Sequence, residues 1–292
     1  MTDTYLDRLA ARSAAVGSVL CLGLDPDPAG LPAGFSPDLA GVERFATLIV
    51  DAAAPYAAAI KPNLAFFESF GSAGMAALER IRGRLPAGLP VVIDAKRGDI
   101  STTAAHQATA LFERLDADAV TINPYVGGEG LGPLLARQDR FAYVLCRTSN
   151  PGAGEFQDLI VGADPAIGAP AEALHLRVAR RVSTWGPGGT AGLVVGATAP
   201  AELRAIRAAV PGLAILVPGI GVQGGDLEGV LADGPATADP SASRPGGGLL
   251  VNVSRGISGA ALATARDGAP ADLEERLAGA AREWAARLPV LP

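Results

Sequence analysis

Short apolar runs rich in β-branched residues alternate along this chain with longer segments of helical period. The runs predict eight strands, at Ser18–Asp25, Ala57–Asn63, Pro90–Lys96, Ala119–Pro124, Ala142–Thr148, Gly192–Thr198, Ala214–Pro218 and Gly248–Val253. The segments between them predict helices, among them Val42–Ala53, Thr103–Leu115, Pro170–Trp185, Pro200–Val210 and Leu273–Leu288. Strands separated by helices of this length are typical of βαβ units in a parallel sheet.

Eight such units fit a single (β/α)8 barrel domain over residues 1–292, and a doubly wound open sheet is the alternative. The barrel is favoured because polar residues follow one strand after another around the whole chain. In a barrel all C-terminal strand ends meet at one rim, where active sites form. The low-complexity stretch Gly234–Gly248 predicts a flexible surface insert between the seventh and eighth strands.

Composition narrows the function classes. The 292-residue chain is 49% hydrophobic with a net charge of −6, which argues against nucleic acid or an anionic membrane as a partner. Cys21 and Cys146 lie in apolar runs and are expected as buried thiols rather than a disulfide. His106 and His175 are expected on helix surfaces, and no Cys/His spacing indicates a metal. Without a signal peptide or an apolar run of membrane-spanning length, a cytoplasmic location is expected.

The densest group of charges is Asp94-Ala-Lys96-Arg-Gly-Asp99, directly after the apolar run of the third strand. Alternation along a strand points Asp94 and Lys96 to the same face, and Asp99 follows a turn at Gly98. Lys61 ends the neighbouring second strand and completes a Lys–Asp–Lys set. Opposite charges at the end of a core strand cost desolvation energy, which suggests a reaction that needs them, although a structural ion pair is the alternative.

This network is expected to keep Lys96 protonated despite burial, so that it can give a proton to a carbanion. A Schiff-base lysine needs a depressed pKa instead, which two neighbouring acids oppose. A second predicted feature is a phosphate site. Glycines follow Pro218 after the seventh strand and Arg255 follows the eighth, which is where this fold often binds phosphate.

Five motifs together make the chain resemble the orotidine 5′-phosphate decarboxylase family. They occur in order over essentially the whole chain: Cys21-Leu-Gly-Leu-Asp25-Pro, Ile60-Lys-Pro-Asn63, Asp94-Ala-Lys96-Arg-Gly-Asp99, Thr148-Ser-Asn-Pro-Gly152 and Pro218-Gly-Ile-Gly-Val-Gln223. The DxKxxD element alone is shared with sugar-phosphate decarboxylases and synthases, and the second and fourth motifs are more selective. The second and third motifs, together with the long segment between the seventh and eighth strands, are similar to those of the larger bacterial branch of the family.

The resemblance implies a role for each matching residue. The charged catalytic network would consist of Lys61, Asp94, Lys96 and Asp99. The substrate-binding residues would be Asp25 and Thr103 for the ribose, Ser149 for the pyrimidine, Gln223 bridging base and phosphate, and Pro218 with Arg255 near the phosphate. The resemblance also implies a homodimer in which Asp99 and Thr103 reach the partner's site, and supporting hydrogen bonds from Asn63 and Asn123.

The activity implied is cofactor-free decarboxylation of orotidine 5′-monophosphate (OMP) to uridine 5′-monophosphate (UMP) in pyrimidine biosynthesis, with Lys96 protonating C6 and no metal. Three alternatives stay open. They are a metal-dependent sugar-phosphate decarboxylase or synthase on the same barrel, a catalytically silent nucleotide-binding barrel, and a structural barrel whose rim charges are only ion pairs.

Overall fold

The structure is a computed structural model that describes residues 3–221, 224–262 and 272–291. Its sheet has eight parallel strands, ordered 2-1-8-7-6-5-4-3 when counted along the chain. In chain order these barrel strands are Leu20–Leu24, Ala59–Pro62, Val92–Arg97, Ala119–Ile122, Phe141–Arg147, Ala191–Val195, Ile215–Val217 and Leu249–Val253. Single parallel bridges, Ile60 to Val91 and Asn63 to Asp94, join the second and third strands and nearly close the ring. The predicted (β/α)8 TIM barrel is confirmed.

Helices lie between successive strands, and others stand before the first strand and after the last one. The longer ones are Tyr5–Val16, Leu39–Ala53, Gly71–Arg82, Ser101–Ala108, Leu174–Val182, Pro200–Ala209, Leu227–Asp233 and Leu273–Arg287. Shorter helices are Ala65–Glu68, Gly127–Gly130, Gly132–Leu135, Gly154–Gln157 and Arg255–Ser258. A π-helical turn, Thr109–Arg114, continues the Ser101–Ala108 helix. In the part of the chain that the structure describes, no helix is long and apolar enough to cross a membrane.

The first helix, Tyr5–Val16, closes the end of the barrel where the strands begin. Thr4 caps it in a reciprocal capping box with Asp7, which satisfies backbone N–H groups that the first turn leaves without partners. Tyr5 is buried, stacks on Phe141 with ring centroids 4.9 Å apart, and its hydroxyl lies 3.1 Å from that of Tyr143. The barrel interior is therefore packed from below, and the open end is the opposite rim.

The segment between the seventh and eighth strands, expected as a surface insert, is exposed in its middle and buried at several positions. Ser241 is fully buried, and Gly246, Gly247 and Gly248 are buried as well. Arg244 donates to an Asp7 carboxylate oxygen at 2.9 Å, which ties the segment to the first helix. Its Pro/Gly/Ser composition predicts exposure, but small side chains also allow close packing. Glycine is needed at positions such as Gly246, where φ is +79° and an added side-chain carbon would lie 3.0 Å from a Val19 methyl group.

The helix predicted at Pro170–Trp185 begins later than expected. Glu172–Ala173 instead pairs with Ile160–Val161 in a short antiparallel ladder, and the helix covers Leu174–Val182. Glu172 explains the change, because its buried carboxylate accepts from Arg177 and Arg180 on the helix, at 3.1 and 2.9 Å. These contacts hold the ladder against the helix and place the loop after the fifth strand.

Candidate active site

One cavity of about 520 Å³ opens at the C-terminal rim of the barrel. Seven of the predicted site residues line it: Asp25, Lys61, Asp94, Lys96, Ser149, Pro218 and Arg255. They come from segments after six different strands or from the strand ends themselves. The fold therefore brings together residues that are far apart in the sequence, as the barrel rim predicts.

Asp94 is the centre of the charged group. Its Oδ2 accepts from Lys61 Nζ at 2.6 Å, and its Oδ1 accepts from Lys96 Nζ at 2.7 Å. Thr121 Oγ1 donates a third hydrogen bond to Oδ1 at 2.8 Å. Three donors therefore fix the carboxylate, with one lysine on each oxygen.

The third strand is irregular where it carries these charges. Its register against the fourth strand shifts between Ile93 and Arg97, and Lys96 has a positive φ of 47°. Thr121 Oγ1 accepts from the backbone N–H groups of Ala95 and Lys96, each at 3.0 Å, in place of ladder bonds. Non-glycine residues with positive φ cluster at functional sites, where surrounding contacts hold the strained backbone. The bulge, rather than simple alternation, brings Lys96 back to Asp94.

The two lysines have different environments. The Lys61 side chain is 5% exposed and that of Lys96 is 51% exposed, so the expected burial of Lys96 is wrong. Burial alone lowers the pKa of Lys61, but attraction to Asp94 and Asp25 outweighs it and raises that pKa above its usual value. Burial alone raises the pKa of Asp94, but Lys61 and then Lys96 outweigh it and hold that pKa below its usual range. Lys61 and Asp94 are therefore both charged at neutral pH.

The other walls of the cavity supply groups suited to a polar ligand. Oδ1 of Asp25 and Oδ1 of Asn252 are buried without a hydrogen-bond partner among the described residues. Pro218 and Gly219 follow the seventh strand, where a φ of +98° at Gly219 turns the chain along the cavity wall. Arg255 follows the eighth strand and is exposed, so its guanidinium is free to meet an anion from solvent.

Three predicted residues are not placed in this cavity. Among the described residues, Asp99 and Thr103 do not line it. Oδ1 of Asp99 accepts from the backbone of Ile100 at 2.8 Å, and Thr103 is exposed on the following helix. Gln223 lies outside the described residues. Asn63 and Asn123 make local hydrogen bonds, since each accepts a backbone N–H two residues further on.

Ser254, which the sequence places directly before Arg255 at the end of the eighth strand, also lines the cavity, but the sequence reasoning missed three polar lining residues: Thr121, Gln157 and Asn252. Asn252 lies two residues before Ser254 on the eighth strand, so alternation could have placed it on the same inner face. The same rule could have found Thr121 on the fourth strand. Gln157 ends the short helix Gly154–Gln157 between the fifth and sixth strands of the barrel and has no such signal.

The cysteines are confirmed as buried free thiols, and burial raises the pKa of Cys21 to about 12. His106 is exposed as expected, but the expectation for His175 is wrong. His175 is buried, with Nδ1 2.9 Å from the carbonyl oxygen of Gln157, because the loop after the fifth strand covers it. Among residues 3–221, 224–262 and 272–291, no group of three or more His, Cys, Asp or Glu side chains could hold a metal ion.

These features define a TIM-barrel enzyme with a charged lysine–aspartate–lysine centre. A family model described as Orotidine 5′-phosphate decarboxylase / HUMPS family matches residues 18–266. The orotidine 5′-phosphate decarboxylase of Roseiflexus sp. (strain RS-1) is 44% identical over 255 residues, covering 87% of this chain and 88% of that protein. The solved Leishmania donovani OMP decarboxylase has a TM-score of 0.78 and 38% identity, covering 97% of this chain and 96% of that one.

A longer protein also matches. The solved Leishmania donovani UMP synthase has a TM-score of 0.80 and 40% identity over 98% of this chain, which spans 56% of that longer chain. The chain belongs to the orotidine 5′-phosphate decarboxylase / HUMPS family, as its motifs predict. Its relatives are carboxy-lyases, which supports the decarboxylase interpretation over the sugar-phosphate enzyme, the silent binder and the purely structural barrel.

Proposed function

We propose that this protein converts OMP to UMP and CO2. The observation that carries the proposal is the Lys61–Asp94–Lys96 contact, which lies in a cavity that Arg255 also lines. A site with fixed opposite charges and a separate anion-binding group suits a phosphorylated substrate whose carboxylate leaves as CO2. The decarboxylase relatives support the same activity.

Different residues of the cavity bind different parts of the substrate. Arg255 and the backbone near Pro218 bind the phosphate, and Asp25 accepts from ribose hydroxyls through an oxygen that has no partner among the described residues. Ser149 binds the pyrimidine, and Gln223 bridges base and phosphate. Binding energy from the phosphate then holds the reacting carbon against the charged centre.

The chemical step uses Asp94 and Lys96. The bond from C6 to the carboxylate breaks, CO2 leaves, and the electron pair stays on C6 as a carbanion. Lys96 stabilises that charge and transfers a proton from Nζ to C6, which gives UMP and a neutral amine that regains its proton from water. Asp94 stays ionised because its pKa is lowered, so it repels the substrate carboxylate and orients Lys96. No metal or cofactor takes part in this scheme.

The proposal includes a cytoplasmic homodimer with shared active sites. Asp99 and Thr103 do not reach the cavity of their own chain in the described residues, which supports their reaching a partner's. Beside them is an apolar surface: Ile100 is 56% exposed and Val126 is 37% exposed, and both lie next to Gly130, where an added Cβ would come within 3.3 Å of each. An exposed apolar patch next to site residues favours an interface.

The test is the ultraviolet absorbance change when OMP is added to purified protein, with and without EDTA. We expect conversion to UMP at the same rate in both samples. Failure to convert OMP would contradict the proposal, and loss of turnover with EDTA that added divalent metal restores would contradict the metal-free scheme. The control is Lys96→Ala, which should abolish the change.

A further inference from the structure

Gln157 lines the cavity, yet its side chain is directed at the backbone of the loop. Its Oε1 accepts from the backbone N–H of Thr148 at 2.8 Å, and its Nε2 donates to Thr148 Oγ1 at 2.9 Å. We propose that Gln157 is a positioning residue that holds Ser149 in place for the pyrimidine base. This inference rests on the proposed function, in which Ser149 contacts the base.

Thr148, the residue before Ser149, is held at every polar atom. Besides the two bonds from Gln157, its carbonyl oxygen accepts from Arg147 Nη1 at 3.0 Å. Its hydroxyl donates to Asn150 Oδ1 at 2.6 Å. Four hydrogen bonds on one residue leave little freedom to the backbone that leads into Ser149, and two of the four come from Gln157.

Ser149 packs closely against the chain that follows the sixth strand. A side-chain carbon at Gly196 would lie 2.8 Å from N, Cα and Cβ of Ser149, closer than real contacts allow. The carbonyl oxygen of Ser149 accepts from Thr198 Oγ1 at 3.3 Å. The position of Ser149 is therefore fixed by this packing and by the Gln157 contacts to Thr148.

Gln157 is itself anchored to the outer layer of the barrel. The ring nitrogen Nδ1 of the buried His175 lies 2.9 Å from the carbonyl oxygen of Gln157. Cys146 Sγ, on the fifth strand, donates to the carbonyl oxygen of His175 at 3.2 Å. These contacts join the backbone of Gln157 to a packed helix, and the two bonds to Thr148 hold its side chain at the cavity wall.

The Thr148 backbone N–H can only donate, so it requires an acceptor at position 157. Gln157→Leu removes both side-chain bonds with a similar volume, whereas Gln157→Glu keeps an acceptor for that N–H. If Gln157 acts through Ser149 on the base, its loss weakens ligands that carry a pyrimidine and spares ligands without one. A residue that only stabilises the fold would not discriminate between such ligands.

The test measures the binding of UMP and of ribose 5-phosphate by calorimetry, with kcat and KM for OMP alongside. For Gln157→Leu we expect UMP to bind about tenfold more weakly, the size of one net hydrogen bond, with ribose 5-phosphate changed by less than about twofold. Gln157→Glu should recover most of the UMP affinity. The matched control is Glu155→Gln, an exposed residue of the same short helix, which should bind both ligands as the wild type does.

Equal weakening of both ligands, or unchanged UMP binding, would overturn the inference. If Gln157→Leu fails to fold, Thr148→Val removes the two hydroxyl bonds, to Gln157 Nε2 and Asn150 Oδ1, and keeps the backbone bond to Gln157. It should show the same selective loss of UMP binding but a smaller one, and an unselective result would likewise overturn the inference. The wild-type protein tests the proposed function separately, because failure to bind UMP or turn over OMP there contradicts that function before any variant is compared.

Discussion

Replacing Asp94 by asparagine should destabilise the protein strongly, because it leaves a buried lysine without its partner. Asp94 accepts from Lys61 at 2.6 Å, and the Lys61 side chain is only 5% exposed. Asparagine retains the shape and can still accept from Thr121, but it removes the negative charge. Lys96 matters less to stability because its side chain is half exposed and water screens the contact.

The magnitude follows from the burial of Lys61. Removing one partner of a buried ion pair costs about 3–5 kcal/mol. For a chain of this length, each kcal/mol corresponds to about 2 °C in the melting temperature, so we expect Asp94→Asn to melt about 6–10 °C lower. In the double variant Asp94→Asn/Lys61→Met the buried charge is gone, and at least half of the loss should be recovered.

The difference in the free energy of unfolding between wild type and Asp94→Asn should depend on pH in a direction that the two pKa shifts define. The pKa of Asp94 is lowered in the folded state, so its contribution is present above the usual aspartate pKa of about 3.9 and disappears as the pH falls through the folded value. The raised pKa of Lys61 makes its contribution disappear only as the pH rises beyond the usual lysine value of about 10.4. The stability difference should therefore be constant from about pH 5 to 8.

Differential scanning calorimetry at one fixed protein concentration measures these changes. The matched control is Asp51→Asn, which breaks the pair with Arg84 at 3.2 Å, where both side chains are exposed. That change should cost less than about 1 kcal/mol. A melting temperature for Asp94→Asn as close to wild type as that of the control would refute the reasoning, as would a double variant no more stable than the single one.

Three further outcomes are expected. Thr121→Val removes the hydroxyl that donates to Asp94 and accepts two backbone N–H groups. Chemical denaturation should therefore show the free energy of unfolding lowered by about 2–4 kcal/mol, and a decrease below about 0.5 kcal/mol would contradict the role of Thr121 in holding the bulge. Arg255→Ala should lower kcat/KM for OMP, by an amount that corresponds to about 2–4 kcal/mol of lost transition-state binding. An unchanged kcat/KM would remove Arg255 from the site. Cys21 and Cys146 should resist a thiol reagent at pH 8 and react only after unfolding, because burial raises both pKa values; rapid labelling of the native protein would contradict this.

The strand-end charges were predictable because they depend only on where each strand ends. Lys61 and Asp94 close apolar runs of neighbouring strands, so parallel pairing alone brings them together. The contact between Lys96 and Asp94 was predicted from strand alternation, which explains only part of it. Alternation gave the correct face, but the backbone leaves the regular strand there, and Thr121 on the next strand supplies the hydrogen bonds that permit it.

Other parts of the site and fold depend on contacts that sequence periodicity does not encode. Gln157 contacts Thr148, nine residues earlier in the chain, through a segment of short helical turns whose fold sequence periodicity does not predict. The burial of His175 depends on that same loop. The first helix was not among the predicted elements, although Thr4 and Asp7 form a recognisable capping box, because its role is to close a barrel whose interior is formed by distant strands.

The most direct test of the central claim compares turnover and UMP binding in Lys96→Ala. If Lys96 delivers the proton to C6, kcat for OMP should collapse while the melting temperature stays near that of the wild type and UMP still binds. Near-normal turnover in a folded variant that binds UMP would contradict the assignment of Lys96 as the proton donor.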